Sequence, residues 1–203
     1  MINTIIFDFG DVFINLDKEA TFRELAKLGV TEITQEMLQI AQQYEEGAIS
    51  TQKFVDHFTQ QFHHIASEDL IAAWNAIILD FPEYRLEFIE ELAASKKYTL
   101  ILLSNTNTLH IEKVIENMSL ERYERFKKCF HSFYLSHEIG FRKPNADIFE
   151  FVLNENNLKA NHCLFIDDTE EHTLGASQLG IHTLHLLPSH DITNLFDLKK
   201  ALF

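Results

Sequence analysis

The sequence predicts an α/β protein with a three-layer, Rossmann-like core around a parallel sheet and an inserted helical cap subdomain. Three observations support this fold class. Short apolar runs alternate with helical patterns along most of the chain, as in right-handed βαβ units. A long helical stretch without any strand interrupts the alternation after the first run. Several of the apolar runs end directly in polar residues that carry chemistry.

The strands are predicted from short, uninterrupted apolar runs, which are typical of parallel strands buried on both faces. Four such runs cover residues 5–7, 100–103, 164–166 and 183–187, and a weaker fifth covers residues 133–135. Helical periodicity between them predicts helices over residues 83–95, 146–156 and 170–179.

The cap is predicted over residues 17–79, which leaves residues 1–16 and 80–203 to the core. Apolar residues recur at helical spacing in this stretch, for example at Phe54, Phe58 and Phe62, and Ser50 is placed to cap their helix. About 60 residues are far too many for a simple connection between a strand and the next βα unit. We therefore expect a separate helical subdomain.

Composition narrows the range of partners. The net charge is −14, so nucleic acids and anionic membranes are not expected as partners, and an anionic substrate would need a local cation.

No apolar run approaches the roughly 20 residues that span a bilayer, and the first residues do not resemble a secretory signal. Cys129 and Cys163 have no zinc-site spacing. A cytoplasmic protein is the expectation; the oligomeric state stays open.

The polar residues that follow three of the strands are expected to meet. Asp8 follows the first strand, Ser104 and Asn105 end the second long run, and Asp167 and Asp168 end the run at residues 164–166. The carboxyl ends of parallel strands lie along one edge of the sheet, where ligands bind. Taken singly, each of these residues is more often a turn or capping residue; their shared position at strand ends favours a site.

The chemistry of this set favours a magnesium and phosphate site. Neighbouring carboxylates repel one another unless a cation joins them, and oxygen ligands suit a hard ion such as Mg²⁺. A serine hydroxyl near backbone N–H groups suits a phosphate, and Lys143, just before Pro144, could supply the protein's own cation.

With these residues in place, the chain resembles the haloacid dehalogenase-like hydrolase superfamily along essentially its whole length. The four motifs are FDFGDV around Asp8, LLSNTN around Ser104, GFRKP around Lys143 and FIDDT around Asp167 and Asp168. The helical insertion resembles the family's first type of cap. SNTNTLH and EGAIS give a further similarity to the phosphatase branch that includes bacterial α-D-glucose-1-phosphate phosphatase.

The resemblance implies a Mg²⁺-dependent phosphatase that hydrolyses a small phosphorylated metabolite, a sugar phosphate by this likeness, through an aspartyl-phosphate. Asp8 would be the nucleophile. Asp8, the carbonyl of Gly10 and Asp168 would hold Mg²⁺, with Asp167 close behind. Lys143 would be catalytic: together with Ser104 and Asn105 it would bind the transferring phosphoryl group and offset its charge.

Gly10 departs from the pattern of most phosphatases in this superfamily, which carry a second Asp there as general acid and base. This puts the protonation of the leaving group in doubt, because Asp11 projects from a different point of the turn. His110, near the phosphate loop, is expected to serve packing or capping rather than substrate contact.

Two alternatives belong to other functional classes. A 2-haloacid dehalogenase would use the same nucleophile at carbon without a metal, but such enzymes lack the acidic pair formed here by Asp167 and Asp168. A non-catalytic module that binds a phospho-ligand would have lost the acid and kept the fold. The presence of Asp8, Lys143 and Asp168 together argues against such a non-catalytic module.

Overall fold

The central sheet has five parallel strands, and the computed structural model that shows it describes residues 1–202. The order across the sheet is β3-β2-β1-β4-β5, which places the first strand at the centre. The strands are β1 (Thr4–Phe7), β2 (Thr99–Ser104), β3 (Ser132–Leu135), β4 (Cys163–Asp167) and β5 (His182–His185). The predicted parallel sheet is confirmed. The fifth strand ends two residues earlier than its apolar run, at His185.

A helical insertion lies between β1 and β2, as predicted. Its four helices are α1 (Ala20–Lys27), α2 (Gln35–Glu45), α3 (Thr51–Gln61) and α4 (Ser67–Asn75). Ser50 caps α3, since its side chain accepts a hydrogen bond from the Lys53 backbone N–H at 3.3 Å. The insertion has its own apolar core, in which Phe54 stacks on Tyr44 and packs against Trp74.

Two antiparallel chain segments connect the insertion to the core. Leu16 and Ile78 form a bridge, the Asn15 N–H bonds to the Asp80 carbonyl at 2.8 Å, and the Asp17 N–H bonds to the Ile77 carbonyl at 2.9 Å. These bonds pin both ends of the insertion at one place on the core. They support the proposed cap limits at residues 17 and 79, which stay a prediction.

The remaining helices cover the two faces of the sheet. They are α5 (Glu83–Ser95), α6 (Thr108–Met118), α7 (Leu120–Lys128), α8 (Ser136–Ile139), α9 (Ala146–Glu155), α10 (Glu170–Gln178) and α11 (Leu195–Leu198). Side chains of alternate strand residues enter two separate apolar clusters, because successive side chains of a strand point to opposite faces. Phe7 packs on the side of α5 and α7, whereas Ile6 packs on the side of α9 and α10. The core therefore has three layers.

In the core, the structure adds four helices that the sequence pattern did not predict: the short helices α8 and α11, and the longer helices α6 and α7. The two longer helices are consecutive. They follow one another with only Ser119 between them, and the Ser119 hydroxyl accepts a bond from the Arg122 N–H at 3.4 Å. No helix formed by residues 1–202 combines the length and the apolar character that a membrane span requires.

Gly175, on α10, provides a close contact between that helix and the loop before α9. A Cβ atom added at Gly175 would lie 2.4 Å from the carbonyl oxygen of Pro144. The segment that carries Lys143 therefore packs directly on the helix backbone.

We expect Gly175→Ala to lower the free energy of unfolding by about 1–3 kcal/mol, the usual range for overpacking. The cause is the displacement of the Pro144 backbone, which has no flexible side chain to yield. Urea denaturation measures the change, with Gln178→Ala on the exposed face of the same helix as control. A stability equal to that of the control variant would contradict this account of the contact.

Candidate active site

Three carboxylates meet at the carboxyl edge of the sheet. Phe7 pairs with Ile166 in the ladder, so Asp8 and Asp167 come next to each other one residue further along the two central strands. The Asp8 N–H extends the ladder by bonding to the Ile166 carbonyl at 2.9 Å. Oxygen atoms of Asp8, Asp167 and Asp168 all lie within 4.8 Å of one another. The register of β1 and β4 thus creates the acidic cluster.

Lys143 lies inside this cluster and is completely buried. Its ammonium donates to Asp8 Oδ1 at 2.7 Å and to Asp167 Oδ2 at 2.6 Å. It also lies 5.3 Å from the centre of the Phe165 ring, within the range of a cation–π contact. A buried ammonium is stable only with such partners. The prediction that Lys143 reaches the nucleophile candidate agrees with this geometry.

Asn105 holds the backbone of Lys143 in place. Its side-chain N–H₂ donates to the Lys143 carbonyl at 2.9 Å, and its side-chain oxygen accepts from the Lys143 N–H at 2.9 Å. The sequence predicted Asn105 as a ligand of the phosphoryl group. In this structure its amide is engaged with Lys143, so the geometry supports a positioning role for that side chain.

Asp167 is fixed from every side. Its Oδ1 accepts from the Thr169 N–H at 2.8 Å, and the His172 ring Nδ1 lies 3.0 Å from both of its oxygens. Burial alone would raise the pKa of Asp167, but Lys143 and His172 lower that pKa to about 2. Asp167 is therefore an anion at neutral pH. Because Thr169 and His172 hold its carboxylate in place, its bond to the Lys143 ammonium orients that ammonium.

Asp8 has the opposite electrostatic balance. Burial raises the pKa of Asp8 to about 7 although the Lys143 ammonium opposes the rise, and the charges of Asp167 and Asp168 raise it further. A nucleophilic carboxylate must be ionised. The arrangement therefore calls for a further cation next to Asp8.

Asp168 faces the insertion. The ammonium of Lys18, just before α1, bonds to Asp168 Oδ2 and lies 3.3 Å from Asp11 Oδ2. His185 Nε2 lies 3.0 Å from the Asp168 carbonyl oxygen. Asp168 is the most accessible of the three carboxylates in the cluster, since Asp8 and Asp167 are buried.

Ser104 ends β2 beside this cluster and is buried to 4% exposure. Its hydroxyl makes one weak contact, to the Asn105 carbonyl oxygen at 3.5 Å. That distance is at the limit of a hydrogen bond, so the hydroxyl can turn to another acceptor at little cost.

At Gly10, the end of the Leu16 side chain lies close to the backbone. A Cβ atom there would lie 2.7 Å from Cδ1 of Leu16, so an acid at this position would require the Leu16 side chain to turn away. The positive φ of the turn falls on Asp11, at 49°, and not on Gly10. Asp11 Oδ1 accepts from the Leu16 N–H at 3.0 Å, which fixes that carboxylate within the turn.

His110 packs against the insertion in this structure. Its ring stacks on Trp74 with centroids 5.1 Å apart, and its backbone N–H donates to the side-chain oxygen of Asn107, which caps α6. Burial lowers the pKa of His110 to about 4, so it is neutral at pH 7 and is a poor proton donor.

Sequence reasoning missed three residues of the site: Lys18, His172 and Leu16. His172 had a signal, since it lies five residues after Asp167 at the start of a predicted helix, where its side chain can return to the strand end. Lys18 and Leu16 had none, because their roles depend on how the chain folds back between the insertion and the core.

Comparisons with known proteins agree on the family of this chain. Residues 2–180 match the family described as haloacid dehalogenase-like hydrolase. D-ribitol-5-phosphate phosphatase from Bacteroides thetaiotaomicron is 26% identical over 193 residues, which cover 90% of this chain and 91% of that protein.

Solved structures agree over nearly the whole chain. A HAD family enzyme from Bacteroides thetaiotaomicron, crystallised as the wild-type protein with magnesium and inorganic phosphate, is 32% identical. The TM-score is 0.82, and the match covers 97% of this chain and 100% of that one. A HAD-like family hydrolase from Porphyromonas gingivalis is 28% identical with a TM-score of 0.76, covering 91% and 90% of the two chains.

We expect Lys143→Met to lower the free energy of unfolding by about 3–5 kcal/mol, because it leaves Asp8 and Asp167 buried without their shared ammonium. Adding Asp8→Asn should recover part of the loss, since Asp167 keeps its bonds from Thr169 and His172. Urea denaturation at pH 7 measures both changes. Lys97→Met, at an exposed lysine, is the matched control; a loss below about 1 kcal/mol for Lys143→Met would contradict the role of the ammonium.

Proposed function

The chain belongs to the haloacid dehalogenase-like hydrolases, and on that premise we propose that it is a magnesium-dependent phosphatase of small phosphate monoesters. The observation that carries the proposal is the placement of Asp8 at the strand end, bonded to buried Lys143 beside Asp167 and Asp168. Asp8 would form an aspartyl-phosphate that water then hydrolyses.

The donor set fits Mg²⁺. The cluster offers only oxygen atoms, which this hard cation prefers. Burial raises the pKa of Asp8, and the charges of Asp167 and Asp168 raise it further, so a bound cation beside Asp8 would favour its ionised form. Asp8, Asp168 and the carbonyl of Gly10 would hold the ion, and Asp167 would stay one layer behind, bonded to Lys143. When bound, the ion would neutralise charge on the carboxylates and on the phosphate. A related enzyme crystallises with magnesium and inorganic phosphate, which supports this proposal.

The first chemical step places demands on Asp8 and Lys143. The Asp8 oxygen that does not bond to Lys143 would attack phosphorus, forming a P–O bond while the bond to the leaving alcohol breaks. The Lys143 ammonium and the Ser104 hydroxyl would stabilise the negative charge on the transferring phosphoryl group. Because Asn105 and Asp167 fix Lys143, its charge needs no reorganisation during the step. In the second step, water attacks phosphorus and releases Asp8 and inorganic phosphate.

Protonation of the leaving alcohol has no dedicated side chain at position 10. Leu16 fills the space beside Gly10, His110 is neutral, and the Asp11 carboxylate is bonded within its turn. We therefore propose that the alcohol takes its proton from solvent. The rate would then depend on how well the alkoxide leaves.

The alternative functions fit this site less well. A dehalogenase without metal would have to ionise Asp8 beside two further carboxylates, and the raised pKa of Asp8 opposes that. A module that only binds phosphate has no need of an ammonium shared between Asp8 and Asp167. The geometry therefore favours catalysis.

The substrate class is a narrower question. Similarity to the glucose-1-phosphate phosphatase branch suggests a sugar phosphate, and the D-ribitol-5-phosphate phosphatase suggests a sugar-alcohol phosphate. Both classes rest on relatives alone. The insertion contains a cavity with a mostly apolar wall, which argues against a polyol as the alcohol of the substrate.

We expect the purified protein to release phosphate from p-nitrophenyl phosphate with Mg²⁺, and EDTA to abolish the release. Asp8→Asn keeps the shape of the side chain and removes the nucleophile, so turnover should fall to background while the melting temperature is retained. Colorimetric phosphate assays and thermal melting measure the two effects. Activity undiminished in EDTA would contradict the role of the metal. If Asp8→Asn retained more than about a tenth of the activity, the barrier would have changed by less than about 1.4 kcal/mol, and Asp8 would be excluded as the nucleophile.

We also expect the turnover rate to fall steeply as the pKa of the leaving alcohol rises. General acid catalysis is typically worth about 10²–10⁴-fold, and Gly10 has no side chain to supply it. A series of aryl and fluoroalkyl phosphates of graded leaving-group pKa measures the slope, with burst kinetics to show that chemistry limits turnover. A flat dependence would mean that a residue of the site donates the proton.

A further inference from the structure

A cavity of about 200 Å³ lies within the insertion. Helices α1 to α4 all contribute to its wall, and eleven of its fifteen lining residues are apolar. Lys18 lines the cavity and also bonds to Asp168, so one side chain links the cavity wall to the acidic cluster. A group attached to a phosphate at Asp8 would therefore have this cavity in reach.

The four polar residues of the wall already have partners. The Thr21 hydroxyl donates to the Trp74 carbonyl, and His110 Nε2 lies 3.3 Å from the same carbonyl. Glu45 accepts from Arg142 at 3.1 Å, and Lys18 is bonded to Asp168. A polyol in the cavity would lose its hydrogen bonds to water and find few replacements, which is costly for each hydroxyl.

Two apolar side chains of the wall remain exposed. Phe22 of α1 is 45% exposed and Leu38 of α2 is 47% exposed. Large apolar side chains that face solvent at the mouth of a cavity are typical of a ligand site. An apolar group in the cavity would remove part of this surface from water.

We infer that this enzyme acts on phosphate monoesters whose alcohol is an alkyl or aryl group, and that the apolar carbons occupy the cavity of the insertion. The inference rests on the proposed phosphatase function. The volume sets the size: a cavity of about 150 Å³ lined by aliphatic and aromatic residues holds a benzene ring. At about 200 Å³, the cavity therefore accommodates at least six carbon atoms.

The test compares phosphate esters of primary alcohols, so that leaving groups are chemically alike. The series runs from methyl to hexyl phosphate, with D-ribitol 5-phosphate as the five-carbon polyol. We expect kcat/KM to rise about fourfold per methylene until the cavity is full, from the transfer free energy of a buried methylene. Pentyl phosphate should exceed D-ribitol 5-phosphate by more than tenfold. A flat series, or a preference for D-ribitol 5-phosphate, would overturn the inference.

A matched pair of variants locates the effect. Ala41 lines the cavity on α2, whereas Ala72 on α4 is exposed and lies outside it. Ala41→Leu should lower the ratio of kcat/KM for pentyl and ethyl phosphate at least tenfold, and Ala72→Leu should leave that ratio within twofold. The ratio is independent of the fraction of folded enzyme. An unchanged ratio in Ala41→Leu would place the alkyl chain elsewhere and overturn the inference.

Binding separates this inference from the proposed function. Trp74, the single tryptophan of the chain, lines the cavity, so its fluorescence reports on occupancy. Pentylphosphonate, which has no ester bond to hydrolyse, should change the fluorescence at concentrations where methylphosphonate does not. If no ester is hydrolysed but pentylphosphonate still binds and Ala41→Leu weakens it, the phosphatase function fails and the apolar site stands. If esters are hydrolysed and the two phosphonates behave alike, the apolar site fails.

Discussion

The buried ammonium of Lys143 is the interaction on which the rest of the site depends. It lies between the ends of the two central strands and bonds to a carboxylate from each of them. Without it, two neighbouring strands would end in facing negative charges inside the protein, and burial without a partner is costly for both. Much of the surrounding structure holds Lys143 in place. The Asn105 side chain bonds to its backbone, and His172 bonds to its partner Asp167. The segment that carries Lys143 packs on the backbone of α10.

The sheet could be predicted because its strands are apolar on both faces. The ends of those strands could be predicted because polar residues follow them directly. Asp8, Asp167 and Lys143 could therefore be brought together before any coordinates were known. Side-chain reach could not be predicted. Asn105 has the residue type of a phosphate ligand, and only the fold shows that its amide meets the Lys143 backbone. Helices α6, α7, α8 and α11 were not predicted; α8 and α11 have only four residues each, too few to show a helical period.

The core and the insertion contribute different features. The core supplies fixed charges, whose positions follow from strand register. The insertion supplies a cavity, whose volume and polarity come from four helices with a core of their own. Lys18 contacts both parts, since it lines the cavity and bonds to Asp168. A change in the insertion can thus alter the cavity while the register around Asp8 remains as it is.

The contact between Gly10 and Leu16 has an evolutionary consequence. An acid at position 10 would require the end of the Leu16 side chain to turn away. Leu16 also pairs with Ile78 in the bridge that joins the insertion to the core, and its side chain packs on the core at that junction. The effect of a substitution at position 10 therefore depends on which residue occupies position 16. The two positions are coupled by epistasis.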